Sequence, residues 1–515
     1  MSEIFHFSEL PASFEMKKVK NTSKILFIRM RIMNINTTCQ VFTPNPIVKD
    51  VLNQVGYVKN LYDRKLLENS CGDGAFLTEA IDRYIKDCIK NKISKKDIVD
   101  GLENDIYATE IDQQQIDKCL ENLNKIATKH AIKNVKWNIA KADVLKSPPS
   151  VKFDFIVGNP PYIKYADLDI PTRNFIRKSF EGCSKGKPDY YYAFIELSLR
   201  LLKHTGKLGY LIPNNIFKNQ FGENIRTMML PHLSKIKDFK SKKLFKEKTT
   251  FKDILTSSSI IICEGKKHNR NIIYLDATRG ERFTLRKKSL VKKWIFTPMI
   301  EQHDQEHIPK RRFGDDFKAT ASIATLLNEA FIIRDYETSS GFAIAKGKRI
   351  EMGLLKEGVS PRSLFYDNKE LLIFPYHYDE NGDLIRYSDE ELSSLFPEGR
   401  QYLLSYLDKL NKRTKDKKAR WFEFGRSQAL QHLNQRKLLM STLVTQKVRI
   451  HSLSKEQIPY AGICIFQKGA LPLEHAIEIL QRQEFLDYLY NIGINASGNT
   501  VRVTAKDVEN FEYVL

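Results

Sequence analysis

Eleven residues, Leu66-Leu67-Glu68-Asn69-Ser70-Cys71-Gly72-Asp73-Gly74-Ala75-Phe76, constrain the fold of this chain more than any other stretch. They read as a short strand, a tight glycine turn and the start of a helix. The helix continues with apolar positions at Phe76, Leu77, Ala80, Ile81, Tyr84, Ile85 and Cys88, the three-and-four spacing of a single buried face. Strand, glycine turn and helix open a doubly wound α/β sheet, where Gly72 and Gly74 let a ligand approach the backbone closely. The turn alone is equally consistent with plain structure, so its neighbours matter. A second strand, Ile106-Tyr107-Ala108-Thr109, ends in Glu110, whose carboxylate suits the two hydroxyls of a ribose. Asn138-Ile139-Ala140-Lys141-Ala142 then leads to Asp143, an acceptor suited to the amino group of an adenine ring. Taken singly, Glu110 is as easily a solvated loop acid and Asp143 an ordinary surface acid.

The apolar run Phe155-Ile156-Val157-Gly158 delivers Asn159-Pro160-Pro161-Tyr162. These four residues suit chemistry on a ring-attached amine. The lone pair of such an amine is delocalised into its ring, and two hydrogen-bond acceptors are needed to draw the nitrogen toward tetrahedral geometry. The side-chain oxygen of Asn159 is one acceptor and the carbonyl of Pro160 the other. Pro161 forces residue 160 into an extended conformation, and neither proline brings a competing N–H. Tyr162 is then placed to stack on the ring. A turn after a buried strand is the plain alternative.

In this order the pieces resemble the gamma-class, TaqI-like adenine-N6 DNA methyltransferases of type II restriction-modification systems. A Phe-Thr-Pro element precedes the glycine motif in that family, and here it stands as Val41-Phe42-Thr43-Pro44. It leads into a helix with Asn45 as the expected N-cap, Pro46 in the first turn and Gly56 as the stop. The resemblance extends through Tyr191-Tyr192-Ala193-Phe194, Leu208-Gly209-Tyr210-Leu211-Ile212-Pro213 and Ser259-Ile260-Ile261-Ile262-Cys263. It implies an S-adenosylmethionine pocket lined by Thr43, Glu68, Ser70, Gly72, Gly74, Glu110, Ile111, Asp143 and Pro160. It likewise implies that Asn159, Pro160 and Tyr162 meet a flipped-out adenine, with Phe251 as a second stacking aromatic and Phe245 as its alternative. Glu110 lies farther beyond the glycine turn than the usual ~20 residues. A basic insertion around Lys90-Asn91-Lys92 is expected to account for the difference.

The implied fold is a Rossmann-like, seven-stranded, mostly parallel methyltransferase domain followed by a mixed α/β target-recognition domain. Boundaries are expected at 1–32 for an N-terminal extension, with Met33 as the natural start, 33–264 for the catalytic domain, 265–312 for a basic connector and 313–515 for the recognition domain. Phe313-Gly314-Asp315-Asp316-Phe317, Phe374-Pro375-Tyr376 and Trp421-Phe422-Glu423-Phe424-Gly425-Arg426 resemble TaqI-like specificity domains more softly than the catalytic motifs do. Arg349, Arg426 and Arg436 are candidates there for base or phosphate contact.

The 515 residues leave room for two or three domains, and 83 Lys and Arg against 62 Asp and Glu give a net charge of +21, which favours a polyanionic partner. Double-stranded DNA is the expected partner, together with a separate restriction endonuclease acting on the same sequence. No apolar run reaches the ~18 residues of a membrane span, and seven cysteines without a Cys-x-x-Cys pair read as cytoplasmic thiols with no zinc site. No metal is expected in the reaction. The absence of a Pro-Cys pair argues against ring-carbon methylation of cytosine. Gly182-Cys183-Ser184-Lys185-Gly186-Lys187 imitates a phosphate loop, but Pro188 stands where the hydroxyl residue belongs. Asp253 with Glu264-Gly265-Lys266 imitates a nuclease site on a strand that the sheet already uses. N4-cytosine, RNA and protein amines remain alternative acceptors, and a DNA-binding specificity subunit with a relict pocket is the non-enzymatic alternative.

Overall fold

The computed structural model describes residues 43–240, 244–246, 253–254, 257–268, 270–296, 310–427, 429–497 and 500–514. The expected leader, the Met33 start and Phe251 lie outside these residues. The chain divides into two compact units, 1–299 and 300–515.

The first unit is built on one nine-stranded sheet. Its strands are β1 (Leu66–Asn69), β2 (Ile106–Glu110), β3 (Asn138–Lys141), β4 (Phe153–Gly158), β5 (Leu202–Pro213), β6 (Leu233–Asp238), β7 (Ser258–Glu264), β8 (Ile272–Asp276) and β9 (Glu281–Leu285). Their order is β9-β8-β6-β7-β5-β4-β1-β2-β3. The seven expected strands form its core, with β7 antiparallel between β5 and β6. Two more strands extend it: β8 runs parallel to β6, and β9 returns antiparallel to β8. They come from the first half of the stretch expected to be a basic connector. There Ile272, Tyr274 and Asp276 point inward on alternate positions, and the Tyr274 hydroxyl donates to buried Asp238 at 2.9 Å.

Helices cover both faces of this sheet, so β1 and β4 are buried along their whole length, with only Glu68, Asn69 and Asp154 breaking their apolar sequence. One face is packed by α1 (Asn45–Val55), α2 (Ala75–Lys90), α3 (Lys95–Asp105) and α4 (Gln113–Lys129). The other is packed by α5 (Ile170–Ser179), α6 (Tyr191–Leu201) and α7 (Glu223–Met229). In α1 the buried residues are Ile47, Val48, Val51, Leu52 and Val55, and left-handed Gly56 ends it as expected. Its start differs by one position. Asn45 already lies in the helix, and Pro44 occupies the cap without a side-chain bond. Helix α3 accounts for the long spacing to Glu110: it is an extra element between α2 and β2, capped by Ser94 and anchored by Asp105, which accepts from the Tyr84 hydroxyl at 2.6 Å.

The second unit consists of small antiparallel and mixed sheets with short helices. Phe317–Ala321, Ile463–Gln467, Lys437–Met440 and Ile450–Leu453 form one four-stranded sheet, and Leu355–Val359 with its neighbours another. Its first residues are tied to its last, since Arg311 and Arg312 pair with Tyr513 and Glu512. Phe422 and Phe424 enter its core, while Glu423 between them is buried against Arg386. Arg426 pairs with Asp416 at 2.7 Å, Arg436 with Glu474 at 3.0 Å, and Arg349 lies 3.8 Å from the Phe342 ring centre. No helix among the described residues is long and apolar enough to cross a membrane.

Candidate functional site

After β1 the chain runs out through β2 to β3, then returns to place β4 on the other side of β1. The carboxyl ends of β1 and β4 therefore flank the reversal of strand order, where doubly wound sheets bind their ligands. Both motifs emerge at this point. Glu68 on β1 stands opposite Val157 on β4, immediately before Gly158 and Asn159.

Gly74 ends the turn after β1 with φ +86°, a conformation costly for any residue with a side chain. A Cβ there would lie 2.7 Å from the Cys119 sulfur of α4, so the turn and α4 are closely fitted. Gly72 is also left-handed, at φ +53°, but a Cβ there would meet nothing within 4 Å. The turn is thus packed beneath and open above. Ser70 shares the positive φ, at +95°, and its backbone N–H donates to Thr109 of β2.

Glu110 closes the turn from the side. Its carboxylate accepts from Gly72 N at 3.0 Å, Ile111 N at 2.8 Å and Asp112 N at 3.1 Å. These bonds use three of a carboxylate's roughly four acceptor sites. A ribose diol must therefore share an oxygen with Gly72 or displace it. Ile111 beside it is 63% exposed, unusual for a large apolar side chain at the end of a buried strand. Asp143 follows β3, accepts from its own Leu145 N–H at 3.1 Å and pairs with Lys146 at 3.3 Å.

Glu68 Oε2 and Ser70 Oγ, beside the glycine turn, are buried without a hydrogen-bond partner among the described residues. Burial pushes the Glu68 carboxyl well above its ordinary 4.5. Raised this way, the carboxyl contributes stability that is complete below 4.5 and is lost as pH climbs through the folded value. Glu68→Gln should remove that loss. Relative to the wild type, the variant's melting temperature is expected to rise with pH above about 4.5, which thermal unfolding across pH 4 to 8 checks. An unchanged difference across that range would assign the burial cost elsewhere.

Asn159 lies against Thr43: its Nδ2 donates to Thr43 Oγ1 at 3.2 Å, which orients the amide. The Tyr162 hydroxyl donates to the Leu211 carbonyl at 2.9 Å and its ring meets Tyr191 edge-on at 5.9 Å, leaving the tyrosine half-buried. Burial holds its phenol well above the usual range, so it stays neutral. Thr43, Glu68, Ser70, Gly72, Gly74, Glu110, Asn159, Pro160 and Tyr162 thus converge on one end of the sheet. Phe251 lies outside the described residues. Phe245 sits in a two-residue strand opposite Ile254.

Sequence reasoning missed the support beneath the site. Asn69 Nδ2 donates to Ser198 Oγ at 3.0 Å and to the Tyr210 hydroxyl at 3.2 Å, joining β1, α6 and β5. The available signal was a polar residue inside an apolar strand, which must find partners when buried. No group of three or more His, Cys, Asp or Glu suited to a metal ion occurs among the described residues.

The topology and the glycine turn define a Rossmann-like, doubly wound α/β domain. Residues 25–245 match the family model described as Eco57I restriction-modification methylase. The chain is 31% identical over 198 residues to the type II methyltransferase M.BstVI of Geobacillus stearothermophilus, covering 36% of this chain and 35% of that protein. It is 24% identical over 498 residues to the type II restriction enzyme and methyltransferase RM.Eco57I of Escherichia coli, covering 78% of this chain and 49% of the relative. The matches thus span about a third to a half of these relatives' lengths. In fold, the chain resembles the type IIL restriction-modification enzyme MmeI, solved in complex with DNA, with a TM-score of 0.57 at 12% identity over 96% of this chain and 67% of that one.

Proposed function

We propose that this chain is a site-specific DNA methyltransferase that transfers a methyl group from S-adenosylmethionine to the N6 amine of a flipped-out adenine in double-stranded DNA. The carrying observation is that Asn159-Pro160-Pro161-Tyr162 leaves β4 beside the glycine turn of β1, with the Asn159 amide oriented by Thr43. The open face of Gly72 and the partnerless oxygens of Glu68 and Ser70 fit a ligand with cationic and hydrogen-donating groups. When bound, S-adenosylmethionine supplies the electrophilic methyl carbon. Asn159 Oδ1 and the Pro160 carbonyl then accept the two N–H bonds of the base and make its lone pair available. Thr43, Gly74, Glu110, Ile111 and Asp143 complete the donor pocket. Tyr162, with Phe251 as its opposite number, holds the base by stacking.

Extruding the base costs a few kcal/mol, and each aromatic contact returns about 1 to 3 kcal/mol. Tyr162→Ala is therefore expected to lower kcat/KM for duplex DNA by about 5- to 150-fold, whereas Tyr162→Phe, losing only the bond to Leu211, should stay within about fivefold. Steady-state kinetics on both variants checks this. The C-terminal unit would select the sequence, the product would protect host DNA from a separate endonuclease, and the whole would act in the cytoplasm.

Transfer of labelled methyl groups to unmethylated duplex DNA, followed by nucleoside analysis, tests the reading. Label in N6-methyladenine is expected. Label in N4-methylcytosine would change the base while keeping the amine chemistry, and label only in RNA or protein would overturn the reading.

A further inference from the structure

The stretch Ser184-Lys185-Gly186-Lys187, too short for a nucleotide-phosphate loop, has no part in the site described above. It is locked to the loop that follows β5. Gly186 has φ +71°, and a Cβ there would stand 2.4 Å from Cδ1 of Phe221, so only glycine admits this contact. Asn224 Nδ2, in the first turn of α7, donates to Ser184 Oγ at 3.1 Å, a second tie beside the first. Buried Arg226 holds the second loop from within, donating to the carbonyls of Ile216 and Asn219 at 2.7 Å each.

The second of these loops follows the carboxyl end of β5, the end of the sheet that bears the candidate site. Tyr190 N donates to the Ile163 carbonyl at 2.9 Å, tying the residues after the first loop to the segment of Tyr162, and the Tyr191 hydroxyl donates to Asn215 Oδ1 at 3.1 Å, tying them to the residues that follow β5. Their outer surface has no internal purpose that the structure reveals. Lys185 and Lys187 are exposed and make no ion pair among the described residues, and Phe221 stays 37% exposed although its edge is fitted against Gly186. Unpaired cations beside a rigidly seated exposed aromatic are the elements that bind a nucleic-acid strand, by phosphate neutralisation and by contact with bases.

We propose that the interlocked loops 184–187 and 219–222 grip the DNA strand flanking the target base, Lys185 and Lys187 on its phosphodiesters and Phe221 against a base or sugar. This rests on the DNA reading above. The grip would hold the backbone still while the neighbouring nucleotide turns out toward Asn159.

The test uses the full chain and duplex DNA containing its methylation site. Lys185→Gln with Lys187→Gln should lower the slope of log affinity against log salt by about 1.8, from about 0.9 per phosphate contact. The KM for DNA should rise with it, while S-adenosylmethionine affinity and melting temperature stay unchanged. Phe221→Ala should raise the KM for DNA about fivefold or more with the salt slope preserved. An unaltered slope and KM in the double lysine variant, with wild-type methylation of DNA intact, would overturn this inference alone. A wild-type chain that neither binds nor methylates DNA would overturn the functional reading and this inference together.

Discussion

Asn159→Ala is expected to lower kcat by about 10²- to 10³-fold, some 3 to 4 kcal/mol, the usual cost of deleting one preorganised group aimed at charge developing in a transition state. The expected loss lies in the chemical step because the acceptor matters most when the amine nitrogen becomes tetrahedral. Affinity for S-adenosylmethionine should change by no more than a few-fold, since Glu68, Gly72 and Glu110 belong to the adjoining strands β1 and β2 and the turn between β1 and α2. Thr43 loses a partner at 3.2 Å, which predicts a fold destabilised by no more than about 1 kcal/mol. Single-turnover methylation beside a cofactor titration separates the two effects. Retention of near-wild-type kcat would remove Asn159 from the chemistry. Loss of cofactor affinity instead would make it a binding residue.

Gly74→Ala is expected to act on the other half of the site, and on stability as well. The left-handed backbone costs about 1 to 2 kcal/mol for an alanine, and overpacking against Cys119 adds about 1 to 3 kcal/mol. Cys119 is fully buried and cannot swing aside. The melting temperature should fall by roughly 5 to 15 °C, and S-adenosylmethionine binding should weaken. Combining Gly74→Ala with Cys119→Ala should restore the steric share and leave the backbone share, so the double variant should be more stable than the summed single effects predict. Strict additivity in calorimetric unfolding would show that the contact at 2.7 Å is relieved without cost.

The first unit was legible because its constraints are local. Continuous apolar runs reveal doubly covered strands, and Phe76 to Cys88 reveals a one-sided helix that the structure buries at each named position. Strands β8 and β9 were not legible for the opposite reason. They lie at the sheet's edge, β9 is mostly exposed, and the charged residues around them resemble a solvated connector. The place of Glu110 at the end of β2 was legible, but its three backbone donors were not, because they arise where its own turn meets Gly72. The Asn69, Ser198 and Tyr210 network joins residues up to 141 positions apart and has no local signature. In the second unit, Phe422 and Phe424 are core residues, so the aromatic part of that motif reports packing.

In the proposed reaction the loops after β1 and β4 act together as one site for methylating a base amine in DNA. Modified-base sequencing of DNA from a methylation-free host expressing the chain tests it most directly, with Asn159→Ala expressed in parallel. N6-methyladenine at a single sequence motif is expected with the wild type and none with the variant. Unmodified DNA from cells that contain folded, cofactor-binding wild-type protein would contradict it.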